Sequence, residues 1–282
     1  MNDTEVAVVE PCKVILLATD GSEFSAGVER VGVEMAQQNQ SQLFVLRLLL
    51  AESGTDEAIV EEQDAAISLE RVTTQCAEQG VSCTTLIRSS NDPAQGILAA
   101  AKEVNAQLLI VGRRGRRGLA KLMVGDATTK IIDKAECSVL VVPRLFSYWR
   151  NGVLLALAEP PHIEGDKAAH AAFHLAQAAH LPLTVLLVDE ENNEDERRDV
   201  YQSVNRLVAM AKLQDVAAEG LVQSGDIDEV IQEVARQRSA DLIVCEPRDR
   251  SVIDRLFNVN KLVQLIGKAH CPVLVVQGPH AA

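Results

Sequence analysis

The sequence predicts an α/β protein made of two tandem, doubly wound domains. Each is a five-stranded, Rossmann-like parallel sheet, and the two form a pseudo-dimer. Three observations carry this. Apolar runs of strand length alternate with helix-patterned stretches along the chain, as in a parallel sheet with crossover helices. The chain also repeats itself: adding 134 to each number from Ile87 to Val142 gives Leu221 to Val276 without a gap, and 17 of those 56 pairs are identical. Finally, apolar residues make up 47% of the 282 and aromatic ones only 3%, so the cores are aliphatic, as buried parallel strands require.

In the first half, residues 13–19 read as a strand, and 22–40 as a helix because apolar residues recur three and four apart. Strand 42–50, helix 56–79 and strand 81–88 follow. Asn91-Asp92-Pro93 opens the next helix, with a side-chain acceptor at the cap and Pro in the first turn. Strand 108–111, helix 126–134 and strand 138–142 complete the domain. The second half repeats the order at 153–158, 167–180, 183–188, 195–213, 216–222, 227–238, 242–245, 261–268 and 273–276. Near the start the offset becomes 139, pairing Ile15 to Asp20 with Leu154 to Glu159. The boundaries are a tail 1–10, a domain 11–145, a linker 146–151 and a domain 152–280. A linker so brief keeps the domains close together.

A net charge of −13 excludes nucleic acid and anionic lipid as partners of the whole chain, and the few aromatics offer little for bases to stack on. Residues 1–10 hold acids but no Lys or Arg, unlike the basic start of a secretory leader. The apolar run 14–18 is too short for a membrane span, so a cytoplasmic protein is expected. Cys12, Cys76, Cys83, Cys137, Cys245 and Cys271 show no CxxC and no metal-site spacing. They read as reduced packing residues, with a redox or metal role as the alternative. His170 and His174 sit at i, i+4, a spacing that can hold a metal, but the intervening residues supply no HExxH acid; partly buried or surface histidines are the plainer reading.

The chemistry lies after the fourth strand, in Gly112-Arg-Arg-Gly115-Arg-Arg-Gly118 and on to Gly125-Asp126-Ala127-Thr128. Glycines let backbone N–H groups approach an anion, and the helix that follows presents unpaired donors and a partial positive charge. Arg113, Arg114, Arg116 and Arg117 add guanidinium forks suited to phosphate. In a doubly wound sheet the ligand lies off the carboxyl ends of the strands where the winding reverses, here at Asp20 and Gly112.

At these residues the chain resembles the universal stress protein family. Gly112-x2-Gly115-x9-Gly125 is similar to that family's ATP loop, Cys137-Ser-Val-Leu-Val-Val-Pro143 to its closing strand, and Ala18-Thr19-Asp20-Gly21-Ser22 to its first strand end. The resemblance covers the chain as two successive copies, and it implies that strands 138–142 and 273–276 pair within the chain as fifth strands pair across dimers of single-domain members, shielding two sheet edges. It implies the adenine-nucleotide alpha-hydrolase-like fold, with Ala18 and Asp20 near the nucleoside. Gly112, Arg113, Gly115, Arg116, Gly125, Asp126, Ala127 and Thr128 would stand around the phosphates of ATP or another adenine nucleotide, with Mg or Mn alongside. One departure stands out: the ATP-binding members carry Ser or Thr after the third glycine, and this chain carries Asp126. Its carboxylate is expected to cap the helix through the N–H of Thr128 or Thr129, and to be offset by the nearby arginines, to reach phosphate through a divalent cation, or to repel it and weaken binding.

In the second half the three glycines correspond to Glu246, Asp249 and Val259, which cannot form that cradle. The expectation is a nucleotide-sensing stress regulator with one site per chain, an unidentified protein partner and no catalytic residues. Slow ATP hydrolysis or autophosphorylation, a structural scaffold and a further homodimer are the alternatives.

Overall fold

The computed structural model describes residues 12–50, 55–114, 124–144, 146, 149–158, 167–189, 197–246 and 259–277. The first half contains β1 (Val14–Ala18), a 3-10 turn (Glu23–Ser25), α1 (Ala26–Asn39), β2 (Gln42–Leu49), α2 (Asp56–Glu78), β3 (Cys83–Ser89), α3 (Pro93–Glu103), β4 (Leu108–Gly112), α4 (Asp126–Lys134) and β5 (Ser138–Val142). The second contains β6 (Val153–Leu157), α5 (Lys167–Ala178), β7 (Leu183–Asp189), α6 (Arg197–Leu213), β8 (Ala218–Ser224), α7 (Ile227–Gln237), β9 (Leu242–Cys245), α8 (Val259–Lys268) and β10 (Val273–Val275). Asp92 caps α3 as expected, accepting from the N–H groups of Ala94 and Gln95, with Pro93 in the first turn.

The ten strands form one sheet in the order β3-β2-β1-β4-β5-β10-β9-β6-β7-β8. Every pairing is parallel except at the centre, where β5 and β10 run antiparallel with Val139, Leu140 and Val141 opposite Val275, Leu274 and Val273. All six of those side chains are buried, so the seam is continuous core. Within each half the winding reverses between the first and fourth strands. Right-handed crossovers therefore place α1 and α2 on one face and α3 and α4 on the other.

Hydrogen-bond register corrects the repeat alignment. Gln107 donates to the carbonyl of Val14 as Asp241 does to that of Gly152, so the first strands are offset by 138 (152 − 14), and Asp20 corresponds to Ala158 rather than to Glu159. Leu43 donates to Ser82 as Leu183 does to Ala217, an offset of 135 (217 − 82). The offset of 134 holds from the caps Asp92 and Asp226 onward. One extra residue thus lies between Ser89 and Asp92, in a turn, where an added residue costs little.

Both faces tie the halves together. The connector lies on α1: Arg30 donates to the Phe146 carbonyl at 2.7 Å, and a Cβ on Gly27 would meet that oxygen at 2.9 Å. The rings of Phe146 and Trp149 meet edge to face at 5.0 Å. The Asp241 carboxylate accepts from the N–H groups of Arg150 and Asn151. His174 of α5 contacts Asn39 of α1 at 2.7 Å; because the Asn39 amide donates to Met35, its oxygen accepts and His174 Nε2 donates. His174 therefore serves the interface, and no cluster of metal-ligating side chains occurs among the described residues. His162, at 159–166, lies outside them. No described helix is long and apolar enough to cross a membrane.

Candidate functional site

The switch point lies where β1 and β4 pair, with Ala18 opposite Val111. Beyond it, β4 ends at Gly112, and Arg113 is anchored by its N–H to the Val142 carbonyl at 2.8 Å. The chain returns at Gly125, whose N–H donates to the Arg113 carbonyl at 3.1 Å and closes the loop's base. Thr128, buried in the first turn of α4, donates its hydroxyl to the Gly112 carbonyl at 3.2 Å. Gly112, Gly125, Ala127 and Thr128 are thus brought together. Gly115, Arg116 and Arg117 lie outside the described residues, as does Asp249 of the second half.

Two residues of the set do something else. Asp126 does not cap α4. Gly125 is the N-cap, with extended backbone at φ −71° and ψ 151°, and its carbonyl accepts from Thr129 at 2.9 Å. Asp126 is already the first helical residue, and it is exposed. The first turn therefore carries no side-chain cap. Arg113 points across the molecule: its Nη1 donates to the carbonyls of Ile266, Gly267 and Ala269, at 3.2, 3.1 and 2.9 Å. These belong to the end of α8, so a first-domain guanidinium caps a second-domain helix at its negative pole. Burial, with Arg114 and Arg144 nearby, lowers the Arg113 pKa from its ordinary value.

The β1 end holds a polar network that sequence reasoning missed. Asp20 Oδ1 accepts from the Ser22 N–H at 3.0 Å, from the Ser22 hydroxyl at 2.7 Å and from the Ser25 hydroxyl. Burial raises the Asp20 pKa, but these bonds and Arg47 outweigh it and leave the carboxyl below its usual range. Next to it, Glu29, only 1% exposed, accepts from Thr19 Oγ1 at 2.6 Å and from Arg71 Nη2 at 2.7 Å. Buried Arg47 donates to the Thr19 carbonyl at 3.3 Å. Two signals were available: an acid on the apolar face of α1, between Val28 and Val31, and an arginine inside the apolar strand β2. Each is a buried charge that demands a partner. Together they tie the end of β1 to α1, α2 and β2.

Comparison with known proteins follows this geometry. The sequence model of the universal stress protein family matches residues 11–143 and again 161–277. The chain is 31% identical over 144 residues to universal stress protein YxiE of Bacillus subtilis (strain 168), covering 45% of this chain and 97% of that one. It is 30% identical over 148 residues to universal stress protein Sll1388 of Synechocystis sp., covering 45% and 96%. Among solved structures, a universal stress protein from Archaeoglobus fulgidus superposes with a TM-score of 0.71 at 18% identity, covering 94% of this chain and 98% of that one. A functionally unknown protein from Pseudomonas aeruginosa PAO1 superposes with 0.74, also at 18%, covering 96% and 94%. Tandem α/β domains of this kind are therefore shared across the whole length.

Proposed function

Because the chain belongs to the universal stress protein family, we propose that its first domain binds an adenine nucleotide, ATP foremost, and acts as a stress-response regulator or sensor in the cytoplasm rather than as an enzyme. Gly125 carries this reading. Its φ of −71° suits any residue, and a Cβ there would meet Arg113 O and Arg114 Cα no closer than 3.8 Å. Among the described residues, packing does not demand a glycine there, whereas an anion seated on the uncapped first turn of α4 does. In this reading the backbone of Gly112, Gly125, Ala127 and Thr128 holds phosphate, and exposed Asp126 admits it through a divalent ion or weakens it. The position of Gly125 in the second domain is Val259, already inside α8, which supports a single site per chain.

Native mass spectrometry of freshly purified protein tests for bound nucleotide, and titration calorimetry tests the site. Gly125→Val, which copies the second domain, is expected to abolish ATP binding with little change in thermal stability. Binding that survives this change would remove the loop from the site. Absence of nucleotide binding in the parent protein, with and without magnesium, would leave the scaffold reading. Net turnover of ATP would favour the enzyme reading instead.

A further inference from the structure

Helices α2 and α6 lie at the two ends of one face of the sheet. α2 packs on β2 and β3 and α6 on β7 and β8, the outermost strands at each edge. Between them α1 meets α5 through Asn39 and His174, so the pseudo-two-fold axis stands perpendicular to the sheet and exchanges α2 with α6. Each helix already has a side turned to the core. Ala58, Ala65, Leu69, Val72 and Cys76 are buried in α2, and Val200, Val204, Leu207 and Ala211 in α6. The outward sides differ in charge.

On α2, Ile59, Val60 and Ile67 face solvent, 54%, 58% and 68% exposed. Ile59, Gln63 and Ile67 follow at four-residue spacing with Val60 alongside, so they form one stripe. Exposed Glu62 borders the stripe on one flank and exposed Glu57 and Asp64 on the other, with Asp56 and Glu70 at its ends. On the C-terminal half of α6 the frame is basic: exposed Arg206 and Lys212 flank Ala209 and Leu213, and Leu213 is 86% exposed. Tyr201, one turn before Arg206, is 48% exposed. A contiguous apolar stripe in a frame of one sign marks an interaction surface, and the opposite frame lies on the same chain.

We propose that two copies of this chain form a dimer in which α2 of each docks antiparallel on α6 of the other. Packing α2 on α2 would set Glu62 and Asp64 against their own copies, and packing α6 on α6 would do the same to Arg206 and Lys212. Like charges across an interface oppose both. Packing α2 on α6 sets acids against bases and covers Ile59, Val60 and Ile67 with Ala209 and Leu213. A two-fold axis parallel to the strands brings α2 over α6 twice, so the contact closes on itself as a dimer. Crossover helices run against their strands, and the strands of the two halves are opposed, so the helices meet antiparallel. The N-terminal half of α2, with the apolar stripe, then lies on the basic C-terminal half of α6. Helices of 23 and 17 residues, about 34 and 25 Å long at about 1.5 Å per residue, are long enough to overlap over several turns.

Sedimentation equilibrium and native mass spectrometry of the full-length protein test this. The parent is expected to be a dimer in the micromolar range, with a dissociation constant that rises with salt. One variant carries Glu62→Lys with Asp64→Lys, the other Arg206→Glu with Lys212→Glu; all four positions are exposed. Each variant alone sets like charges at both contacts, and its dissociation constant should rise by about tenfold or more. Mixed in equal amounts, the two restore opposite charges at both contacts, so a mixed dimer of about the parent's strength should form. A monomeric parent overturns the proposal. So does a variant that dimerises as tightly as the parent, the result expected if copies instead exchange halves across the central seam. A mixture that yields no mixed dimer also overturns it.

Discussion

Replacing Arg113 by Gln separates a structural arginine from a phosphate ligand. In the structure the guanidinium meets three carbonyls at the end of α8 through one nitrogen, which has two protons to give. A charge-assisted bond contributes about 1.5–3 kcal/mol net, and a cation at a partly buried helix C-terminus up to about 2 kcal/mol. These overlap, and the side chain is only half-buried, so a total loss of about 2–3 kcal/mol is expected. At about 2–4 °C per kcal/mol for a chain of this order of size, the melting temperature should fall by about 4–12 °C. Hydrogen exchange should speed up at the last-turn amides of α8, including Ala269, whose N–H bonds to Leu265 at 2.8 Å. Arg113→Lys, which keeps the charge but not the fork, should recover part of the stability. ATP affinity, measured below the melting transition, should change less than twofold. The opposite result, unchanged stability and exchange with a tenfold loss of ATP affinity, would mean that Arg113 faces the loop in solution, and the capping argument fails.

Asp126→Ser should strengthen metal-free ATP binding by about tenfold for each 1.4 kcal/mol of repulsion relieved; if a divalent ion bridges Asp126 to phosphate, calorimetry in magnesium should show the reverse sign, and equal affinities in both buffers would place Asp126 off the site. Glu29→Gln leaves Arg71 without its buried countercharge and should lower the urea-derived stability by about 1–3 kcal/mol, while a change under about 0.5 kcal/mol would show the network to be slack. Burial lowers the pKa of His174 below 6.5, so an unfolded chain takes up the proton first. Its contribution is therefore complete above pH 6.5 and is lost as the pH falls from there toward the folded value; His174→Gln should flatten the stability–pH slope between about pH 7 and 5, and an unchanged slope would refute it.

The alternation of strands and helices was readable because each apolar period is local: β5, β9 and α4 fall at the expected residues, and the cap at Asp92 follows from three consecutive letters. The pairing of β5 with β10 was legible through the family resemblance, since fifth strands pair across dimers of single-domain members; its antiparallel direction comes from the structure. What escaped depends on residues distant in sequence. The partners of Arg113 lie 153–156 positions away, so only the closed seam brings them within reach. A one-residue slip in the repeat is invisible to identity counting but plain in which carbonyl each strand N–H meets. Asp126 missed the cap by one position because α4 begins one residue after Gly125, a boundary that the letters leave open.

The central seam joins two copies that are covalently one chain. In an association of separate subunits each substitution appears twice about the axis, and dilution opens the pair. Here neither holds. The local concentration of one partner strand at the other is fixed by the short connector, so the union persists at any protein concentration. Each half is also free to change alone: a glycine cradle can persist on one side while valine takes its place on the other. Fusion turns a symmetric architecture into an asymmetric device without changing the sheet that carries it.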